Sequence, residues 1–237
     1  MSGELILLPN LLSQSNASKQ VFAEFVRPAI AHLQGLFLES PKGGKEFKSL
    51  FKDPALNKAM ISYINEHTKE SDYDFYLEPL EKGERWALVS DAGLPIIADP
   101  GSHLVLKAHE KGIKVSAYGM TCSITGALML SGLASQHFTF HGYLPRDDAQ
   151  RKHEIQAIES RSQKEGSTHI FIEAPYRNEQ LLHALIKTLH PDTYLSVSVD
   201  LTGESEQVVT RRVSAWGDVH LDLEKKPAVF ILKGNLE

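Results

Sequence analysis

Only one cysteine, Cys122, occurs among the 237 residues, so no internal disulfide framework can staple the fold. That scarcity fits a reducing compartment, and the protein is expected to be cytoplasmic. The opening Met1-Ser2-Gly3-Glu4 lacks the basic region and long apolar core of a signal peptide, and no apolar run is long enough to cross a bilayer. Excess positive charge is missing too. Twenty-five Lys and Arg stand against 30 Asp and Glu, for a formal charge of −5. Nonspecific nucleic-acid binding therefore has no global electrostatic basis and could rest only on a local basic face. The 11 histidines form no HExxH string and no paired spacing suited to zinc, so no metal is expected. His137 and His141 are four apart, but in a strand-like segment they would not form a helical ligand pair. No GxSxG elbow supports acyl transfer, and no GxGxxG follows the first apolar run, which weakens an ordinary dinucleotide-binding reading. Ser40-Pro41-Lys42-Gly43-Gly44-Lys45 lacks the GxxxxGK[ST] pattern and reads as a flexible basic turn.

What remains is an ordinary globular composition, 42% hydrophobic and 23% charged, with material for one large domain or two small ones. The chain is organised around Trp86 to Gly101. Trp86 to Val89 has the length and content of a buried strand. Ser90, Asp91, Gly93, Pro95, Asp99, Pro100 and Gly101 crowd turn formers into a loop, and His103 to Lys111 reads as a helix. In an open α/β sheet, ligands bind where loops leave the carboxyl ends of strands. The two aspartates there could equally be turn caps.

Leu5 to Leu8 predicts an interior strand, Lys19 to Leu33 a helix with Pro28 as a possible kink, and Leu36 to Glu39 a second strand. Pro54 to His67 reads as helix, Asp74 to Leu77 as extended, and Ile113 to Tyr118 as strand. This alternation predicts a mostly parallel sheet covered on both faces, over residues 1–117. Tyr118-Gly119-Met120 marks a boundary, and residues 118–237 are expected to form a second domain. There Thr121 or Ser123 could cap a small-residue helix. Strands follow at Phe138, at Thr168 to Glu173, Tyr194 to Val199, Gln207 to Val213 and Ala228 to Leu232. Helices lie over Asp147 to Glu165 and Glu179 to Leu189. The late strands predict a mixed α+β sheet.

Ser90-Asp91-Ala92-Gly93-Leu94-Pro95 with Asp99-Pro100-Gly101 resembles the tetrapyrrole methylase family of S-adenosylmethionine-dependent methyltransferases. The resemblance is closest to the branch that methylates a cytidine 2′-hydroxyl of small-subunit ribosomal RNA, whose SDAGTPxxxDPG signature differs here only at Leu94. It continues through Tyr118 to Leu128, Ser131-Gly132-Leu133, Gly142-Tyr143-Leu144-Pro145 and Ile172-Glu173-Ala174-Pro175-Tyr176-Arg177. The resemblance implies two α/β domains with the methyl donor in the cleft between them, usually as a homodimer. It places donor contacts at Pro9, Leu94, Ile97, Ser123, Ile124, Ile172, Val199 and Ala228, with Asp91 and Gly93 beside them. Most are apolar, which suits a ligand held mainly by peptide groups while side chains exclude water.

Methyl transfer from a sulfonium is an in-line displacement, and a ribose hydroxyl needs a base or polarising group beside it. Resemblance and chemistry together nominate Glu39, Asp99 and Glu173, with Arg177 placing a phosphate or orienting Glu173. Glu173 and Arg177 could equally form a structural ion pair. The departures fall on the acceptor side. Asn10 to Ser15 replaces the family's Thr-Pro-Ile-Gly-Asn-Leu string, and Leu38-Glu39-Ser40-Pro41 retains little of Ala-Glu-Asp-Thr-Arg. The RNA-acting branch also continues beyond Lys233-Gly234 into a small helical region, so the chain reads as truncated there. Lys42, Lys45, Lys48 and Lys52, or Arg146, Arg151 and Lys152, could form a basic rim for RNA or a solvated face. Small-subunit ribosomal RNA is the expected acceptor. A small tetrapyrrole-like acceptor, or a noncatalytic donor-binding protein, are the alternatives.

Overall fold

The computed structural model describes residues 3–12, 16–118, 122–133 and 136–234. The chain divides into two compact units, Met1–Cys122 and Ser123–Glu237. In the first, β1 (Glu4–Leu8), β2 (Gly35–Leu38), β3 (Met60–Tyr63), β4 (Arg85–Val89) and β5 (Lys114–Ala117) form a sheet in the order β3-β2-β4-β1-β5. All neighbours are parallel. Five helices accompany them: α1 (Asn16–Ile30), α2 (Pro41–Phe51), α3 (Pro54–Lys58), α4 (Asp72–Glu81) and α5 (Ser102–Glu110).

The strands are apolar throughout because both faces are covered, and the period-two alternation sorts their side chains. Ile6, Leu8, Leu36, Leu38, Ala87 and Val89 pack with α1 and α2 around Phe22, Phe47 and Phe51. Leu5, Phe37, Trp86 and Leu88 pack on the other face with Tyr73, Leu77 and Leu80 of α4 and Leu104 and Ala108 of α5.

Three local expectations fail here. The expected basic turn at Ser40 to Lys45 is the start of α2: Ser40 is its N-cap, accepting from the Gly43 amide at 3.0 Å, and Pro41 occupies the first turn. The helix expected over Pro54 to His67 stops at Lys58, and Met60–Tyr63 is the edge strand β3. The segment Asp74 to Leu77, expected extended, lies inside α4, where Tyr73, Leu77 and Leu80 recur at helical spacing on the buried side.

The second unit holds β6 (Phe138–Tyr143), β7 (Thr168–Ile172), β8 (Tyr194–Val199), β9 (Gln207–Arg212) and β10 (Ala228–Lys233), in the order β6-β7-β10-β8-β9. β6 and β7 are parallel and the remaining pairs antiparallel, the mixed sheet expected. Its helices are α6 (Ser123–Ser131), α7 (Asp148–Glu165) and α8 (Asn178–Thr188). α7 is polar along most of its length and is bounded by its ends. The Asp147 side chain accepts from the Gln150 amide at 2.9 Å, and Gly166 closes the helix with φ 67°. Ile155 and Ile158 anchor it to a core containing Phe171, Leu181, Leu185 and Phe230. His141 reaches across to β7, its Nε2 2.8 Å from Nδ1 of the buried His169. Burial holds both imidazoles below their usual range, His169 to about 4. Thr121, Gly119 and Met120 lie outside the described residues.

Candidate active site

Parallel pairing places the carboxyl ends of β1, β2 and β4 in register: Leu8 and Leu38 both lie opposite Val89. The loops that follow are therefore delivered to one sheet edge. Asn10 ties two of them together. It is 7% exposed, and its Nδ2 donates to the carbonyls of Ser90 and Asp91 at 2.9 and 3.1 Å. Its backbone amide donates to the Gly93 carbonyl at 2.7 Å, and its Oδ1 accepts from the Leu11 amide at 2.8 Å. The third loop joins through carboxylates. Glu39 Oε2 accepts from the Asp91 amide at 3.0 Å, while the Ser40 hydroxyl donates to Asp91 Oδ2 at 2.6 Å. An ideal Cβ on Gly43 would lie 1.9 Å from Asp91 Oδ1, so α2 approaches this aspartate closely only because residue 43 has no side chain.

Asp99 completes the cluster. Burial first, and the Glu39 charge second, push its carboxyl up to about 7; Asp91 adds to the rise, and the neighbouring Ser90 hydroxyl works against it. Burial also raises Glu39, with Asp91 and Glu66 contributing and the Asp91 amide opposing. The loop between them carries backbone strain: Ile96 and Ala98 have φ of 77° and 66°, and such a φ is rare for a β-branched residue. Pro9 is buried, Leu94 half-buried and Ile97 exposed.

In the second unit, the antiparallel register gathers three more expected positions at one end of the sheet. Ala228 lies opposite Val199, and Val229 opposite Ile172. Glu173, which follows Ile172, is 5% exposed, and its Oε1 accepts from the Ala174 amide at 2.7 Å and from Arg177 Nε at 3.0 Å, with Arg177 Nη2 also bonded to it. This is a buried ion pair closing the 3-10 turn Pro175–Arg177. Tyr176 is exposed, with the Arg177 guanidinium 5.5 Å from its ring centre. Asn178 is fully buried. Its Nδ2 donates to the Lys226 carbonyl at 2.8 Å, and its Oδ1 has no partner among the described residues. Ser123 and Ile124 open α6, which packs against β8, β9 and β10. Among the described residues no cluster of three or more His, Cys, Asp or Glu is placed to hold a metal ion.

A family model described as Tetrapyrrole (Corrin/Porphyrin) Methylases matches residues 29–215. The chain belongs to the tetrapyrrole methylase family. Two relatives named Ribosomal RNA small subunit methyltransferase I align with it. The Pasteurella multocida protein is 32% identical over 177 residues, 73% of this chain and 62% of its own length. The Escherichia coli O157:H7 protein is 28% identical over 236 residues, 98% of this chain and 78% of its own length. The chain thus spans less than two thirds of the first of these. The crystal structure of diphthine synthase shares the fold, with a TM-score of 0.62 at 17% identity, covering 100% of this chain and 92% of that one.

For a tetrapyrrole methylase, S-adenosylmethionine is the donor the family implies, and the side chains of each unit fit one. Leu94 and Ile97 beside Asp91 and Asp99 offer apolar contact next to negative charge that suits a sulfonium, and Ile172, Val199 and Ala228 form an apolar sheet end. The unpartnered Asn178 Oδ1 is an acceptor of the kind that a ligand or a water satisfies. Sequence reasoning passed over Asn10, which entered only as a departure, together with Ser40, Ser90 and Asn178. Their signal was slight: each is a polar residue within two positions of a strand end or at the start of a helix.

Proposed function

We propose that this chain is a methyltransferase that moves a methyl group from S-adenosylmethionine to a ribose hydroxyl of small-subunit ribosomal RNA. One observation carries the reading: the parallel register of β2 and β4 delivers Glu39, bonded to the Asp91 amide at 3.0 Å, to the loop that holds Asp99, where burial and the Glu39 charge raise the Asp99 carboxyl to about 7. The printed names of the two relatives support the acceptor. When bound, S-adenosylmethionine supplies an activated methyl on a sulfonium. The chain must then orient the acceptor oxygen, exclude water and take the hydroxyl proton. A base is most effective when its pKa lies near the working pH, and that is where Asp99 stands. Glu39 acts on it through charge. Asn10, Ser40 and Ser90 hold the loops on which Asp91 and Gly93 meet the donor. In the second unit, Ser123, Ile124, Ile172, Val199 and Ala228 supply donor contacts, while Glu173 and Arg177 set the turn that presents Tyr176, and Arg177 places an RNA phosphate. The reading includes a cytoplasmic homodimer, which light scattering tests.

The decisive experiment incubates the protein with labelled donor and small ribosomal subunits lacking the modification, then maps the label. Label on a ribose oxygen is the expected result. Donor binding by calorimetry with no label on RNA would transfer the reading to a small-molecule acceptor or to a noncatalytic binder.

A further inference from the structure

We propose that a basic groove between α2 and the β3 edge of the first unit binds single-stranded RNA flanking the methylated ribose. Lys45, Lys48 and Lys52 meet its phosphates, and Tyr63 stacks on an unpaired base. The inference rests on the RNA reading above and adds to it the place where the strand lies.

The groove encloses about 690 Å³. One wall is basic: Lys45, Lys48 and Lys52 recur at helical spacing along one side of α2 and its C-cap, covering about 10 Å of helix axis. The other wall is the edge strand β3, whose alternate residues Ile61 and Tyr63 face the same way and are 43% and 39% exposed. Among the described residues no Asp or Glu lines the groove, although the chain as a whole carries a net −5. None of the three lysines is ion-paired among the described residues, so their charges are available to a ligand. A solvated helix face would intersperse both signs; here one sign is kept beside an aromatic ring. Cationic side chains that follow a backbone, with an aromatic ring for a base to stack on, are what single-stranded nucleic acid requires.

Position ties the groove to the carboxylates. Tyr63 pairs in register with Leu38, and the next residue on β2's chain is Glu39, bonded to the Asp91 amide. Ser40, the cap of α2, donates to Asp91 itself. A strand lying along α2 therefore ends beside Asp91 and Glu39.

The test uses the full chain and a fluorescein-labelled, unstructured ten-nucleotide RNA, with anisotropy read across a salt series. A triple variant Lys45→Gln, Lys48→Gln, Lys52→Gln is expected to weaken binding at least tenfold and to reduce the slope of log affinity against log salt by about 2, near 0.7 for each phosphate that a lysine neutralises. Tyr63→Ala should weaken binding by about 5- to 150-fold at unchanged slope, and Tyr63→Phe should restore it. A control triple, Lys164→Gln, Lys187→Gln, Lys225→Gln, should leave affinity unchanged. Circular dichroism and donor calorimetry check that every variant is folded. If the wild type binds and methylates RNA while the groove variants match it, the groove assignment falls and RNA methylation stands. If the wild type neither binds nor methylates RNA, both fall. Loss in the lysine triple without loss in Tyr63→Ala overturns the stacking role and points to an acidic peptide or other polyanion.

Discussion

Replacing Glu39 by Gln should move the pH dependence of methyl transfer, because the Glu39 charge is the second largest influence holding the Asp99 carboxyl at about 7. With that value Asp99 is ionised in about a tenth of molecules at pH 6 and about nine tenths at pH 8. If it is the base, kcat/KM rises roughly tenfold across that interval and approaches unit slope only below it. Gln keeps the shape and the oxygen that accepts from the Asp91 amide at 3.0 Å, so the loop is retained while one negative charge is removed. The limb should shift to lower pH without disappearing, since burial, the larger cause, is untouched. Asp99→Asn should abolish the limb and slow transfer by about 10²- to 10⁴-fold. The linkage has a definite sign. A carboxyl whose pKa is raised by folding binds its proton more tightly in the folded state, so it favours folding at low pH and opposes it increasingly from about 4 to about 7. Asp99→Asn should therefore stabilise the first unit at pH 8, by on the order of 1–2 kcal/mol once solvent screening of this half-buried group is allowed for. The assay is initial-rate transfer of labelled methyl at subsaturating RNA and constant ionic strength, from pH 5.5 to 9. A flat wild-type profile, or a limb at the same pH in Glu39→Gln, would refute the assignment.

Arg177→Met strips the guanidinium from a Glu173 that is 5% exposed, and should cost the second unit about 3–5 kcal/mol, most of it recovered in Glu173→Gln/Arg177→Met. The two tryptophans fall one in each unit, so urea titration read by Trp216 in a Trp86→Phe background isolates the effect; equal losses in the single and double variants would contradict it. Asn10→Ala leaves the Ser90 and Asp91 carbonyls without their side-chain donor and should cost about 1–3 kcal/mol. Faster amide exchange over residues 90–93 and weaker donor binding by calorimetry are the expected readouts, and unchanged exchange there would show that the loop does not depend on Asn10.

Where hydrophobic pattern and turn chemistry agreed, the chain was legible. β1 and β4 are apolar runs cut off by Pro9 and Ser90, α7 sits between the Asp147 cap and Gly166, and β7, β8, β9 and β10 all appear close to where the sequence placed strands. The failures share a cause, in that tertiary contact outweighed local preference. Gly43 and Gly44 read as loop punctuation, yet they lie within α2 because Asp91 and Leu38 crowd against it. β3 is four residues at a sheet edge, too short to interrupt a helical pattern in the sequence. In α4 the segment Asp74 to Leu77 was expected extended, while burial of Tyr73, Leu77 and Leu80 decided for helix. The carboxylates were visible as residue types. Their coupling was not, since Glu39 and Asp99 meet only through the parallel register of β2 and β4.

The bare Cα of Gly43 has a reach beyond its own turn. In most exposed helices alanine in place of glycine adds about 1 kcal/mol of stability. Here the added methyl would collide with Asp91 and strain the Ser40 cap. The same stretch of α2 thus serves as a spacer: its front end sets how closely the helix can approach Asp91, and its flank sets where a polyanion can run. A side chain at position 43 would have to be matched by retreat of the aspartate it touches.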